Sequence, residues 1–216
     1  MTTSKLVLRP QIKKRIRQIS STTLDHQSQL ILNALKPILQ RFCSVACFLD
    51  MGRGEVRTMP IISHLFETKK HVFLPRCTDT QISGHRVLRP GVESHPHLTF
   101  HEMPSLEYVQ RLEPQGKYQI REPPLEEPHP HPPNLELVLV PGVAFSPLSG
   151  ARMGHGAGFY DDFIHRTLDT HGKRPLLIGL ALEEQLVPEV PTEAHDHHMD
   201  GIVCGDGTVR WFNDRP

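Results

Sequence analysis

The octapeptide GHGAGFYD, which runs from Gly154 to Asp161, lies between two short apolar segments, residues 135–140 and residues 176–182. Such runs on either side of a helical pattern, here residues 159–171, predict two buried parallel strands joined by a helix. The glycines at positions 154, 156 and 158 permit positive φ angles and let backbone amides approach a bulky anion. The octapeptide therefore predicts a phosphate-binding loop, although a flexible glycine hinge explains these eight residues equally well.

The first half of the chain carries a second strand–helix–strand pattern. Residues 45–49 and 71–74 are apolar, and Thr58-Met59-Pro60 is a helix start between them. Units of this kind place ligands at the carboxyl ends of parallel strands. We therefore predict a three-layer α/β/α fold with a mainly parallel, Rossmann-like sheet. Glu55, shortly after the first strand, is placed to meet a ligand, although a surface turn explains it equally well.

The composition predicts a single soluble domain over residues 1–216. Lysine plus arginine (24) balance aspartate plus glutamate (24), so the charge indicates neither a nucleic-acid nor a membrane-surface partner. No apolar run is long enough to span a membrane, and the N-terminus lacks the apolar core of a secretory signal. The four cysteines form no C-x-x-C pair and are expected as buried thiols. We expect a cytoplasmic monomer.

The N-terminal region predicts two helices. Residues 4–20 form a basic amphipathic pattern, and Pro10 suits its first turn. Lys5 and Arg9 precede or open this helix, where their side chains can reach another site. From Thr23 onwards an apolar stripe predicts a core-facing helix that Pro37 should kink or restart.

The remaining segments carry weaker patterns. Residues 78–133 are loosely patterned, with brief strands predicted at residues 87–88 and 98–100 and a helical turn within 106–112. Within this region, residues 128–133, PHPHPP, are expected to be an exposed linker rather than a metal site. Residues 201–204 predict a last short strand, followed by a polar tail from residue 208. Asp196 and Asp200 lie among three histidines, and a carboxylate here could supply an oxygen ligand to Mg²⁺.

The octapeptide is not one of the common nucleotide-binding motifs. It lacks the lysine and hydroxyl of a P-loop, G-x-x-x-x-G-K-[ST]. Its G-x-G-x-G spacing also differs from the G-x-G-x-x-G of dinucleotide-binding folds, and no acidic residue lies within the following strand.

Around the octapeptide, the chain carries an ordered set of short motifs: VLVPGVAF at 138–145, GARMGHGAGFYD at 150–161, Lys5 and Arg9, FL at 48–49 with EV at 55–56 and Thr58, LPR at 74–76, IREP at 120–123, QLVP at 185–188, and PTE at 191–193 through His195-Asp196 to Asp200. This set closely resembles the signature of the 5-formyltetrahydrofolate cyclo-ligases, also called methenyltetrahydrofolate synthetases. The resemblance covers nearly the whole chain.

The resemblance implies an enzyme of folate one-carbon metabolism. Its reaction converts 5-formyltetrahydrofolate and ATP to 5,10-methenyltetrahydrofolate, ADP and phosphate. The formyl oxygen takes the γ-phosphoryl group, N10 attacks the resulting iminium phosphate, and phosphate leaves. The substrate supplies both nucleophiles, so the enzyme needs positioning and charge stabilisation rather than a covalent residue.

The resemblance also implies roles for individual residues. ATP would be bound by Lys5, Arg9, Arg152, Met153, Gly154, His155, Gly156, Ala157, Gly158, Phe159 and Tyr160. The folate would be bound by Met51, Glu55 and Tyr118, with His155 to Phe159 where the formyl group meets the γ-phosphate. Mg²⁺ would be ligated by Asp161 and Asp196.

This sequence departs from some relatives in two places. His155 and Ala157 stand where some family members carry arginine and lysine, which leaves less fixed charge in the loop. The turn Gly52-Arg53-Gly54 is slightly longer than in some relatives, and Arg53 could restore some charge. Two alternatives remain at this stage: a folate- or nucleotide-binding protein with little turnover, and another α/β enzyme acting on a phosphorylated small molecule.

Overall fold

A computed structural model describes residues 4–52, 54–115, 119–125, 132 and 134–212. The helices are α1 Lys5–Arg17, α2 Ser21–Leu39, α3 Met59–Glu67, α4 Thr80–Ser83, α5 Leu106–Gln110 and α6 Phe159–His171, with a 3₁₀ turn at Glu183–Gln185. The strands are β1 Ser44–Ala46, β2 His71–Asp79, β3 Pro96–Glu102, β4 Pro114–Gln115, β5 Ile120–Arg121, β6 Leu137–Val140, β7 Ala144–Phe145, β8 Arg152–Met153, β9 Leu176–Ala181, β10 Gly201–Cys204 and β11 Val209–Trp211.

A seven-stranded sheet with the order β11-β10-β9-β6-β1-β2-β3 forms the centre of the molecule. The strands from β10 to β2 pair in parallel, and the two edge strands, β11 and β3, are antiparallel to their neighbours. The prediction of a mainly parallel α/β sheet is therefore confirmed.

Helices cover both faces of this sheet. Successive residues of a strand point to opposite faces, and on the inner strands both sets are apolar and must be buried. On β6, Leu137 and Leu139 belong to the core cluster that includes residues of α2 and α3, whereas Val138 and Val140 belong to the cluster of Ile164 on α6. A sheet buried on both faces explains why its inner strands are continuously apolar in sequence.

The two N-terminal helices differ in detail from the sequence-based expectations. Pro10 lies inside α1 rather than in its first turn, and α2 is continuous through Pro37 to Leu39 instead of restarting. Leu8, Ile12 and Ile16 attach α1 to a separate core cluster, which also includes Met153 of β8. This packing places the start of α1 beside the glycine loop.

Other segments also correct the sequence reading. The loosely patterned middle contributes the full-length edge strand β3, while residues 87–88 form no strand. The supposed polar tail contains β11, and the PHPHPP linker lies almost wholly outside the described residues. All four cysteines are free; Cys47 and Cys204 are buried as expected, but Cys43 is exposed and Cys77 half-buried. Among the described helices, none is long and apolar enough to cross a membrane.

Candidate functional site

A cleft of about 860 Å³ gathers the predicted site residues. Parallel strands direct their carboxyl ends to one edge, and the segments after β1 and β8 and the end of β2 meet there. The cleft is lined by Lys5, Leu6, Arg9, Phe48, Leu49, Met51, Glu55, Pro75, Cys77, Leu98, Ile120, Arg121, Glu122, Pro141, Arg152, Met153, Gly154, His155, Gly156, Ala157, Gly158, Phe159, Tyr160, Asp161, Glu193, His195 and Asp196. Every predicted site residue that the structure describes is in this set; Tyr118, like Arg53, lies outside the described residues.

The glycine loop, residues 154–158, needs its glycines for two different reasons. Gly156 and Gly158 have φ angles of +115° and +70°, a region that strains other residues. Gly154 has no positive φ; instead, a Cβ there would lie 2.9 Å from Nη1 of Arg152. Gly158 is the N-cap of α6 and offers no capping side chain, so the first-turn amides of this helix remain suited to an anion.

Two cations from α1 reach across to this loop region. Nε of Arg9 donates a hydrogen bond of 3.1 Å to the carbonyl oxygen of Gly154. Nζ of Lys5 lies 2.5 Å from Oδ2 of Asp196 and 3.1 Å from Oε1 of Glu193. Although burial disfavours both charges, their hydrogen bond raises the pKa of Lys5 and lowers that of Asp196. The lysine predicted from the sequence is therefore in place, but it is held by carboxylates.

Arg152 and Asp161 form the second ion pair of the cleft. Nη2 of Arg152 lies 2.9 Å from Oδ2 of Asp161, and Oδ1 of Asp161 accepts a 3.0 Å hydrogen bond from the amide of His197. The guanidinium also lies 5.6 Å from the ring centre of Tyr160, a cation–π distance. Burial raises the pKa of Tyr160, so its hydroxyl stays protonated at neutral pH. Arg152 is thus held by the carboxylate of Asp161 and by the ring of Tyr160.

The two predicted metal ligands line the same cleft, and the residue after Asp196 contacts Asp161 directly. Within the described part of the chain, no group of three or more histidine, cysteine or acidic residues is arranged to hold a metal ion. Mg²⁺ commonly takes only one or two carboxylates and completes its shell with phosphate oxygens and water. The pair Asp161 and Asp196 therefore fits a phosphate-bound Mg²⁺ and not a protein cage.

Asp200 does not belong to this set. Its carboxylate is buried, contacts Arg174 at 2.9 Å and accepts a 2.9 Å hydrogen bond from the amide of Leu177. It joins β10 to the start of β9 and does not line the cleft. Of the two carboxylates in the Asp–His cluster, only that of Asp196 lines the cleft.

Glu55 also lines the cleft and is only 7 % exposed. Its Oε2 accepts a 2.9 Å hydrogen bond from the amide of Met51, and its Oε1 lies 3.5 Å from Nε2 of His155. The glycine loop therefore meets the carboxylate predicted to bind folate. Met51 is half exposed at the edge of the same pocket.

Three cleft or loop contacts were not predicted from the sequence. Oε2 of Glu122 accepts a 2.8 Å hydrogen bond from the amide of Cys77, and burial raises the pKa of this carboxyl group. Burial, with the Glu122 and Asp79 charges, raises the pKa of Cys77 to about 11. Glu193 pairs with Lys5, and Arg89 donates a 2.7 Å hydrogen bond to the carbonyl oxygen of Ala157. The IREP motif pointed to Glu122, but Arg89 lies in a stretch without any pattern.

Comparisons with known proteins show the family to which the chain belongs. The family model described as the 5-formyltetrahydrofolate cyclo-ligase family matches residues 1–205. The 5-formyltetrahydrofolate cyclo-ligase of Saccharomyces cerevisiae is 48% identical over 213 residues, covering 97% of this chain and 99% of its own. A probable cyclo-ligase of Caenorhabditis elegans is 35% identical, covering 92% of this chain and 95% of its own. The 5,10-methenyltetrahydrofolate synthetase structure from Aquifex aeolicus superposes with a TM-score of 0.71 at 25% identity, covering 98% of this chain and 94% of that one.

Proposed function

The chain belongs to the 5-formyltetrahydrofolate cyclo-ligase family, and we propose that its cleft converts 5-formyltetrahydrofolate and ATP to 5,10-methenyltetrahydrofolate, ADP and phosphate. One observation carries this proposal: a single cleft joins the anion-binding glycine loop to the buried carboxylate of Glu55, with His155 between them at 3.5 Å from Glu55. A triphosphate and a pterin with several N–H donors need these two chemistries side by side.

The chemistry proceeds by activating a poor leaving group. The formyl oxygen attacks the γ-phosphorus of ATP, ADP leaves, and an iminium phosphate forms on N5. N10 then attacks the formyl carbon and loses its proton, the carbon–oxygen bond breaks, and phosphate departs with the former formyl oxygen. Both nucleophiles come from the substrate, so positioning and charge stabilisation account for the enzyme's contribution.

The cations and loop amides would hold the triphosphate. Lys5, Arg9 and Arg152 reach the loop from α1 and β8, and the start of α6 adds its unpaired amides. We assign ATP binding to these groups together with the stretch from Met153 to Tyr160. The charge that develops on the transferring phosphoryl group is then met by fixed donors.

Asp161 and Asp196 would hold Mg²⁺ together with phosphate oxygens. The ion would neutralise charge on the transferring phosphoryl group. In the structure both carboxylates are bonded to cations, so they also keep Arg152 and Lys5 beside the loop.

The folate would lie against Glu55 and Met51. The Glu55 carboxylate uses one oxygen on the Met51 amide and faces the cleft at the loop. A buried carboxylate of this kind suits the N–H donors of a pterin. Assignment of Tyr118 to the same pocket rests on the family resemblance alone.

A second candidate, a binding protein with little turnover, is favoured by His155 and Ala157, which provide no fixed cation inside the loop. The two candidates separate in one assay. Purified protein is incubated with 5-formyltetrahydrofolate and Mg²⁺, with and without ATP, and methenyltetrahydrofolate is followed by its near-ultraviolet absorbance. Product that requires ATP and appears with equimolar ADP supports the ligase; binding of both substrates without product supports the alternative.

We also propose that the protein acts as a cytoplasmic monomer with a single domain. The support for a reducing compartment is that all four cysteines are free thiols. Size-exclusion chromatography with light scattering checks the monomer, and cell fractionation checks the compartment.

A further inference from the structure

An arginine from the segment between α4 and β3, Arg89, contacts the glycine loop, as Arg9 of α1 does. Nη2 of Arg89 donates to the carbonyl oxygen of Ala157 at 2.7 Å, while Nε of Arg9 donates to that of Gly154 at 3.1 Å. A trans peptide is planar, with its C=O and N–H pointing in opposite directions. Arg89 therefore fixes the direction of the Gly158 N–H, the amide at the start of α6.

The backbone around Arg89 is itself attached to α6. Arg86 pairs with Asp169 at 2.9 Å, and Nη1 of Arg166 donates to the carbonyl oxygen of Arg86 at 2.6 Å. The amide of Leu88 donates to Nε2 of His95 at 3.1 Å. These contacts hold the segment on the helix whose first turn follows the glycine loop, so the Arg89 side chain starts from a fixed point.

Charge distinguishes Arg89, which contacts the loop without lining the cleft, from most cations of the cleft. Lys5 is neutralised by Asp196 and Glu193, and Arg152 by Asp161. Among the described residues, neither Arg9 nor Arg89 forms an ion pair with a carboxylate within 4.0 Å. The loop from Gly154 to Tyr160 contains no lysine or arginine of its own. Arg9 and Arg89 thus supply uncompensated guanidinium charge to it.

We propose that Arg89 is a positioning residue of the triphosphate site: it fixes the Ala157–Gly158 peptide and supplies positive charge that the loop itself lacks. This inference rests on the proposed use of the loop for ATP. Arg89 contacts the loop and not the reacting atoms. It therefore stabilises bound ATP equally in the ground state and in the transition state of phosphoryl transfer. Its loss raises KM for ATP and leaves kcat nearly unchanged.

The test compares Arg89→Ala, Arg89→Lys and the control Arg111→Ala, an exposed arginine outside the cleft lining. We expect Arg89→Ala to raise KM for ATP about five- to tenfold, with kcat and KM for 5-formyltetrahydrofolate within about twofold. Arg89→Lys keeps the charge and one donor, so KM for ATP should return to within about threefold of wild type. Arg111→Ala should match wild type.

Three outcomes overturn the proposal: an unchanged KM for ATP in Arg89→Ala, an equal rise in KM for both substrates, or an Arg89→Lys variant as impaired as Arg89→Ala. Equal thermal unfolding midpoints of the variants exclude a folding defect. Titration calorimetry with a non-hydrolysable ATP analogue separates this proposal from the proposed function. A wild type that binds the analogue but makes no product contradicts the ligase assignment, whereas weaker binding by Arg89→Ala still supports the role of Arg89.

Discussion

The charged residues of the cleft fall into two sets, named its phosphate end and its acidic end, whose charges are stabilised in different ways. At the phosphate end, defined by Lys5, Arg9, Arg152 and the glycine loop, two of the three cations are paired with aspartates. At the acidic end, defined by Glu55 and Glu122, the carboxylates are held by backbone amides, those of Met51 and Cys77. The phosphate end is thus cross-linked by side-chain ion pairs, and the acidic end by the backbone.

This difference follows from where the residues come from. Lys5 and Asp196 are 191 residues apart, and Arg152 and Asp161 come from a strand and the helix after it. The phosphate end therefore exists only when the termini and the loop are packed together. Glu55 instead bonds to an amide four residues away, so its position depends on one local turn. Substitutions at the phosphate end should change the kinetics for ATP, and those at the acidic end should change the kinetics for the folate. The larger loss of kcat/KM is expected at the phosphate end.

Asp161→Asn should have the largest effect of these substitutions. The amide can still accept from the His197 amide, but the charge that pairs with Arg152 and suits Mg²⁺ is lost. We expect kcat/KM to fall about 100-fold or more, while the free energy of unfolding falls by about 1–2 kcal/mol. Steady-state kinetics and urea denaturation measure the two quantities.

The control for Asp161→Asn is Asp206→Asn, which changes a turn aspartate bonded to Thr208 outside the cleft lining. It should keep activity within about twofold of wild type. If Asp161→Asn loses stability and activity in proportion, Asp161 is a structural residue and the phosphate end does not depend on its charge.

Glu55→Gln should have an intermediate effect confined to the acidic end. Glutamine can still accept from the Met51 amide, so the turn is kept while the charge facing the folate is removed. We expect KM for 5-formyltetrahydrofolate to rise about tenfold, equivalent to about 1.4 kcal/mol, and KM for ATP to stay within about twofold. The matched control is Glu67→Gln, an exposed glutamate bonded to Ser63. A parallel rise in both KM values would mean that the two ends are not separable.

Sequence patterns predicted the parts of the molecule that depend on local periodicity. The helix Phe159–His171 and the strand Gly201–Cys204 have the predicted bounds, because an apolar face or a buried run marks each of them. The edge strands were under-predicted: β3 was expected only at residues 98–100, and β11 was assigned to a polar tail. Polar or charged residues such as His101, Glu102 and Arg210 hide the strand character there.

The site shows a similar limit. The glycine loop, Glu55 and Asp161 could be singled out from their residue types and from the family resemblance. The fold brings them together in one cleft, as expected. Glu193 belongs to the PTE motif, but its contact with Lys5 depends on tertiary packing, and Arg89 reaches the loop from a stretch in which no motif was recognised. The sequence also could not distinguish the roles of Asp196 and Asp200, which lie in one cluster: Asp196 lines the cleft, whereas Asp200 forms an ion pair with Arg174.

Lys5→Met should lower the free energy of unfolding less than Asp161→Asn does, and the size of this loss should depend on pH. The hydrogen bond with Asp196 raises the pKa of Lys5 and lowers that of Asp196, although burial opposes both charges. The lysine's contribution is therefore complete below its ordinary pKa of 10.5 and is lost as pH rises through the raised value. The aspartate's contribution is complete above its ordinary pKa of 3.8 and is lost as pH falls through the lowered value.

The stability difference between wild type and Lys5→Met should accordingly be flat, at about 0.5–1 kcal/mol, across the neutral range and shrink at both extremes. Urea denaturation of both proteins at a series of pH values measures it. Methionine keeps much of the apolar stem of lysine, so the comparison isolates the charge. A difference that stays constant down to acid pH would show that Asp196 does not stabilise the protein through Lys5, and that the ion pair does not cross-link the phosphate end.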